Sequence, residues 1–288
     1  MKRFLLSVAL GSTLGVFAVP VSFGAEPLVF SAPPRDDKET ESRVYEPIAK
    51  YLSKAIGREV IYRFPGNWLT YQDAMRNGKY DLVFDGPQFI SWRVNRLGHE
   101  AIAKIPGKLA FVAVVRQDNT QIQSLKQLAG RSVCALAPPN LATLSFQTQY
   151  DNPARQPLIV EVQSFETGYQ SMLEGKRCVA SILRDKMFEK LSAKNPQARE
   201  LWRSAGVANQ GFSAGPRVTA AEKEKLREAL TAEQSKTAMA GFYERFSKEK
   251  LLVGANSTEY AGLAVLLKDV WGFERAQAEA IQPRTKSN

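Results

Sequence analysis

The 288-residue sequence contains a single histidine, His99, and two cysteines, Cys134 and Cys178. A structural zinc site needs about four Cys or His ligands, so these residues predict no metal site. No glycine-rich phosphate loop occurs, and no cofactor is expected. His99 follows Gly98 at a predicted helix end, where a surface loop is expected. Because serine and cysteine nucleophiles are most often activated by a histidine, the composition argues against an enzyme.

One motif, Gly211-Phe212-Ser213-Ala214-Gly215, has the form of a nucleophile elbow. An elbow serine needs a helix directly after it and a histidine later in the chain. Here Pro216 follows, and no residue beyond His99 is a histidine. We therefore interpret Gln210–Val218 as a strand.

Long hydrophobic runs are absent except at the N-terminus. Lys2 and Arg3 precede the uncharged apolar segment Phe4–Val21, and small residues follow it. This order is typical of a secretory signal peptide, so residues 1–25 are interpreted as a cleaved leader. A membrane anchor is the alternative, because the segment has about the minimum length of a span.

Positive charge exceeds negative charge, with a formal net charge of +10. Basic and acidic residues are interleaved, as in residues 222–227, which is typical of solvated helix faces. Export argues against a nucleic-acid partner. An anionic ligand is compatible with the charge but does not follow from it.

Two stretches of the chain follow the same order of strand, helix, strand, helix and strand. In each copy Ala-Pro-Pro follows the first strand, Tyr-Gln lies in the second helix and Gly-Lys ends that helix. The six predicted strands are Leu28–Ser31, Val60–Phe64, Leu82–Phe84, Ser132–Leu136, Leu158–Val162 and Cys178–Leu183. Because strands that alternate with helices form parallel sheets, the sequence predicts an α/β protein of two lobes, each a mainly parallel sheet flanked by helices.

Leu109–Arg116 and Gln210–Val218 are interpreted as strands that cross between the lobes. Two crossings are what a hinge needs. The predicted parts are lobe 1 at residues 26–112, lobe 2 at 113–213, a helical return to lobe 1 at 214–273 and a disordered tail at 274–288.

The two cysteines of an exported chain favour a disulfide. In a 2-1-3 strand order, the first and third strands of the second unit are neighbours, and they carry Cys134 and Cys178. We predict that the two are bridged; two buried free thiols are the alternative.

Three segments resemble known proteins: YEPIAKYLSKAIGREV, AMRNGKYDLVFDGP and SLKQLAGRSVCALAPPN. They resemble type II periplasmic solute-binding proteins, and most of all the phosphate/phosphite/phosphonate branch that serves ABC importers. The resemblance implies a periplasmic protein that captures a small solute and delivers it to an ABC permease in the inner membrane. A sensory module acting on a receptor kinase or chemoreceptor is the alternative, with an unrecognised periplasmic enzyme as a third class. We expect a monomer.

The resemblance also implies positions in the site. Phosphonate binders have an aromatic residue at the start of the second helix, which matches Trp68, and backbone N–H groups after the third strand, which match Asp85–Gln88. Their Ser-Thr-Ser-like run is replaced here by Asn140-Leu141-Ala142-Thr143, so two hydroxyl positions are apolar. Asp185 matches an acidic residue that holds an amino group in some members.

Ligands of open parallel sheets bind at the carboxyl ends of the strands. Arg35 and Arg184 at these ends are candidates to clamp an anion, with a surface charge or an interlobe ion pair as the alternative. Trp68 and Phe165 are candidates to stack on the solute, with core packing as the alternative, and Asn140 has a helix cap as its alternative. The predicted ligand-binding residues are Arg35, Trp68, Asp85, Gln88, Asn140, Thr143, Phe165, Arg184 and Asp185.

Overall fold

The computed structural model describes residues 25–194, 196–248, 250–268, 270 and 272–273. The predicted leader, apart from residue 25, and the predicted tail at 274–288 lie outside the described residues. The strands are β1 Leu28–Ser31, β2 Val60–Tyr62, β3 Leu82–Asp85, β4 Glu100–Lys104, β5 Lys108–Leu109, β6 Phe111–Arg116, β7 Ser132–Ala135, β8 Leu158–Glu161, β9 Ala180–Arg184, β10 Ala198–Arg203, β11 Val207–Ala208, β12 Gly211–Ala214 and β13 Val253–Gly254.

The helices are α1 Lys38–Ile56, α2 Trp68–Arg76, α3 Pro87–Leu97, α4 Leu141–Gln147, α5 Phe165–Glu174, α6 Asp185–Lys194, α7 Ala220–Thr231, α8 Gln234–Ala238 and α9 Ala240–Phe242. Short 3-10 and π turns complete the structure, and those near the C-terminus are Ser257–Tyr260 and Leu263–Leu267. Among the described residues, no helix has the length and apolarity that a bilayer span requires.

The strands form two large sheets, which confirm the predicted two-lobed α/β fold. The sheet of lobe 1 has the order β13-β4-β12-β3-β1-β2, and that of lobe 2 the order β10-β6-β9-β7-β8. In each sheet the repeated unit has the 2-1-3 order: β1 pairs in parallel with β2 and β3, and β7 with β8 and β9. Antiparallel strands from elsewhere in the chain extend both sheets.

The repeated dipeptides have a structural cause. Tyr71 on α2 and Tyr169 on α5 are both fully buried, so each anchors its helix to a sheet. Gly78 and Gly175 follow these helices with φ of 63° and 68°. Only glycine adopts this left-handed conformation without a steric cost, which is why glycine ends both helices.

The chain passes between the lobes at β5 and β11, which pair antiparallel with each other through Leu109–Val207 and Lys108–Ala208. The predicted crossing strand Leu109–Arg116 is two strands, of which β6 lies wholly in the lobe 2 sheet. The predicted crossing Gln210–Val218 is wrong, because β12 pairs with β3 and β4 inside lobe 1. The predicted residue bounds of the lobes stay a prediction.

The predicted disulfide between Cys134 and Cys178 is present, with its Cα atoms 5.6 Å apart. Cys134 lies on β7, whereas Cys178 precedes β9 by two residues instead of beginning that strand. Both side chains are buried, so the bridge links β7 to the segment before β9 inside the core of lobe 2.

The C-terminal part returns to lobe 1, where α7 packs against α1 and β4. The segment beyond Tyr260 is a 3-10 turn instead of a continued helix, because Gly262 has φ of 79°. That turn packs on α3 of lobe 1 and also contacts α4 of lobe 2. Leu144 of α4 shares one buried cluster with Leu267, so the lobes touch away from the crossing strands.

Candidate ligand-binding cleft

A cavity of about 540 Å³ lies between the lobes at the carboxyl ends of the strands. Lobe 1 contributes the segments after β1, β2 and β3, and lobe 2 contributes those after β7 and β8 together with the last residue of β9. The side chains discussed below that line it are Arg35, Trp68, Asp85, Gln88, Phe89, Phe111, Asn140, Gln163, Phe165, Arg184, Gln210 and Phe246. The cavity therefore lies at the sheet edges that the strand topology predicts.

Seven of the nine predicted ligand-binding residues line this cavity, and Thr143 and Asp185 do not. Thr143 is fully buried and its hydroxyl donates to the Leu136 carbonyl at 2.6 Å. Asp185 begins α6, where its carboxylate accepts from the Lys186 amide at 2.7 Å and faces Arg203 at 3.5 Å. Both side chains are thus engaged by the protein itself, and their role in ligand binding stays a prediction.

Arg184, the last residue of β9, lies in the cavity wall beside Phe111 of β6. Its Nε is buried and has no hydrogen-bond partner among the described residues. Burial lowers the pKa of Arg184 from its ordinary value, and the nearby charge of Asp185 only partly opposes this shift. Because a buried donor without an acceptor is costly, an acceptor from outside the chain fits here.

Arg35 is held more tightly. Its Nη1 donates to the Tyr45 hydroxyl at 3.1 Å, and its Nη2 donates to Gln210 Oε1 at 3.1 Å. The guanidinium carbon lies 5.6 Å and 5.2 Å from the ring centroids of Phe84 and Phe246. These contacts involve no carboxylate, so Arg35 brings an oriented positive charge to the cavity.

Asp85 is the one carboxylate in the described cavity lining, and its charge is balanced by an internal ion pair. Its side chain is fully buried and pairs with the equally buried Arg93 at 3.3 Å. The Tyr71 hydroxyl donates to the same oxygen at 2.5 Å, and the Gly86 amide donates to the other at 2.9 Å. Burial raises the pKa of Asp85, and the Arg93 charge and the Tyr71 hydrogen bond oppose that rise.

Gln88, on the first turn of α3, reaches across the cleft. Its Nε2 donates to the Pro139 carbonyl of lobe 2 at 3.2 Å, while its Oε1 is buried without a partner among the described residues. A Cβ at Gly86 would lie 2.8 Å from that oxygen, so glycine makes room for the amide. Asn140 caps α4 by accepting from the Ala142 amide at 3.0 Å, which was the alternative interpretation of its side chain.

Aromatic side chains form much of the wall. Trp68 at the start of α2 is 37% exposed and packs on Tyr71 and Phe89, with ring centroids 6.0 Å and 6.1 Å away. Phe165 at the start of α5 is half-buried against the lobe 2 core. Each ring therefore has a packed part and a part that faces the cavity.

The histidine and the elbow-like serine form a buried pair away from this cavity. His99 Nδ1 lies 3.2 Å from Ser213 Oγ, and the two residues are 4% and 0% exposed. The expected surface loop for His99 is therefore wrong, while Ser213 lies on a strand as predicted. Burial, assisted by the positive charges of Arg93 and Lys223, lowers the pKa of His99 to about 3. A neutral, inaccessible pair of this kind packs the core and has no route to a substrate.

Two α/β lobes joined by paired crossing strands around a solute-sized cleft define the class of type II periplasmic binding proteins. The chain belongs to the family described as ABC transporter, phosphonate, periplasmic substrate-binding proteins, whose model matches residues 30–259. This family consists of transport components and not of enzymes.

Similar proteins agree with this assignment. The phosphate-import protein PhnD of Mycolicibacterium smegmatis is 23% identical, over 88% of this chain and 88% of its own. XAC2383 from Xanthomonas citri, solved with a chloride ion, superposes with a TM-score of 0.66 at 15% identity, covering 88% and 99% of the two chains. PhnD1 from Prochlorococcus marinus, solved with methylphosphonate, gives 0.58 at 17% identity, covering 84% and 97%.

Proposed function

We propose that this protein captures a tetrahedral oxyanion of the phosphonate or phosphate class in the cleft and delivers it to an ABC permease. The observation that carries the proposal is Arg184, which lines the cavity and whose buried Nε has no hydrogen-bond partner among the described residues. Arg35 adds a second positive charge on the opposite lobe. Oxyanions are the acceptors that arginine binds with the best geometry.

The relatives support this ligand class. The curated relative is a phosphate-import protein, and one structural neighbour was solved with methylphosphonate. Both ligands present several acceptor oxygens around one centre. Such a group can accept hydrogen bonds from Arg184 on one lobe while it interacts with the charge of Arg35 on the other.

A ligand that contacts both lobes can favour a closed arrangement of the lobes, and such a change of conformation is the basis that we propose for transport. We propose that the lobes close about the paired strands β5 and β11, and that an oxyanion favours the closed form because only that form brings both arginines to it. The family match favours this importer role over the sensory alternative.

The test is isothermal titration of the mature protein with methylphosphonate and inorganic phosphate. Arg184→Gln removes the charge, and the loss of a charge-assisted hydrogen bond predicts binding weaker by about 10- to 100-fold. Arg131→Gln is the matched control, because Arg131 is an exposed residue before β7, at the amino ends of the strands and away from the carboxyl ends that line the cavity. The proposal fails if neither oxyanion binds, or if Arg184→Gln and Arg131→Gln bind them equally.

A further inference from the structure

The charge that the described cleft lining can offer to a ligand is positive, because its carboxylate is paired inside the protein. Arg35, Asp85 and Arg184 are the charged residues in its described lining. Asp85 forms an ion pair with Arg93. Its Oδ2 also accepts a hydrogen bond from the Tyr71 hydroxyl, and its Oδ1 accepts one from the Gly86 amide. Among the described residues, neither cavity arginine forms a salt bridge with a carboxylate. A ligand that carries an ammonium group would therefore meet two positive charges and no unpaired acid in the described lining.

Apart from the amide side chains of Gln88, Asn140, Gln163 and Gln210, the remaining wall is apolar and aromatic. Trp68, Phe89, Phe111, Phe165 and Phe246 all line the cavity, and proline and aliphatic side chains fill the spaces between them. A bare tetrahedral oxyanion would contact the arginines and amides of this cavity of about 540 Å³ but leave its aromatic side chains uncovered. Apolar surface gains free energy when a ligand covers it.

The placement of the rings and the arginines on the two lobes predicts how an elongated ligand would be oriented in the cavity. Arg184 ends β9 and Phe165 begins α5, and both belong to lobe 2. Trp68 begins α2 on the opposite lobe, with 37% of its surface exposed. A flat group between these rings, with its anionic end at Arg184, would contact both lobes at once.

We propose, on the basis of the proposed oxyanion function, that the preferred ligand is an organic oxyanion with a bulky apolar or aryl substituent and no ammonium group. Arg93 contributes to this specificity indirectly, because its ion pair with Asp85 leaves that carboxylate without charge to offer an ammonium group. Trp68 and Phe165 receive the substituent.

The test compares phenylphosphonate, methylphosphonate, 2-aminoethylphosphonate and inorganic phosphate by isothermal titration of the mature protein at one pH. Phenylphosphonate is expected to bind about ten-fold more tightly than methylphosphonate or phosphate, because it covers the aromatic wall. The aminoethyl compound is expected to bind most weakly. If phenylphosphonate binds no better than the other oxyanions, this inference is overturned while the oxyanion function stands; if none of the four binds, both fall.

Two variants separate the wall from the charge. Trp68→Ala is expected to lower the ratio of phenylphosphonate to methylphosphonate affinity about five-fold, whereas Leu69→Ala, an exposed neighbour outside the lining, leaves that ratio unchanged. Gln163→Glu adds an exposed carboxylate to the lining and is expected to raise the relative affinity for 2-aminoethylphosphonate. An unchanged ratio in Trp68→Ala, or an unchanged preference in Gln163→Glu, contradicts the inference.

Discussion

Arg93 and Asp85 form an ion pair in which both side chains are fully buried, with 3.3 Å between Nη2 and Oδ2. Asp85 ends β3 at the cleft floor, and Arg93 approaches it from α3. The Tyr71 hydroxyl contacts both members, at 2.5 Å from the carboxylate and 2.9 Å from the guanidinium. This pair ties α3, which carries Gln88 on its first turn, to the sheet.

Asp85→Asn is expected to destabilise the protein strongly, because it leaves the Arg93 charge buried and uncompensated. Removal of one partner from a buried ion pair costs about 3–5 kcal/mol of unfolding free energy. Urea denaturation followed by circular dichroism measures this change. The control is Glu39→Gln, which breaks the exposed pair with Arg43 and is expected to leave the midpoint unchanged. Equal midpoints for the two variants would contradict a structural role for Asp85.

His99 predicts a pH dependence of stability. Its pKa is about 3 in the folded chain, below the ordinary value of 6.5, so between these values the unfolded chain binds a proton that the folded chain does not. The stability that neutral His99 contributes is therefore complete above pH 6.5 and is lost as the pH falls toward 3.

Between about pH 7.5 and pH 4.5 this loss is about 2–3 kcal/mol, at about 1.36 kcal/mol per pKa unit. His99→Gln keeps a polar side chain beside Ser213 but removes the titration. The unfolding free energy of the variant is expected to fall less between the two pH values than that of the native protein. Parallel pH profiles would show that His99 does not carry the effect.

The disulfide is expected to stabilise lobe 2. Cys134 and Cys178 are 44 residues apart, and closing a loop of that length contributes roughly 4 kcal/mol in the chain-entropy model. The paired variant Cys134→Ser and Cys178→Ser should lower the thermal midpoint, and reduction by dithiothreitol should lower that of the native protein but not that of the variant. An equal thermal midpoint of the native protein with and without dithiothreitol would contradict this prediction.

The sequence predicted the repeated unit well because its signals are local. Ala-Pro-Pro breaks, buried tyrosines and glycine caps depend on the nearby backbone, and each recurs in both copies. The antiparallel strands β4, β10 and β12 were missed or misplaced. Their partners are distant in the chain, as in the pairing of Phe212 with Phe84, and short apolar segments do not specify such partners.

The site was predictable in position and less so in chemistry. Topology placed Arg35, Trp68 and Arg184 correctly at the cavity. It did not foresee that Arg93 would neutralise Asp85, because the two approach each other only when α3 folds back on β3. The one signal available was a charged residue directly after the buried Trp92 on an otherwise apolar helix face.

Native mass spectrometry of the protein purified from periplasmic extract without denaturation tests the central claim most directly. The account predicts a bound organic oxyanion in the native protein and in Arg131→Gln, and its loss in Arg184→Gln. A cationic or uncharged ligand, or the same oxyanion retained at equal occupancy in Arg184→Gln, would contradict it.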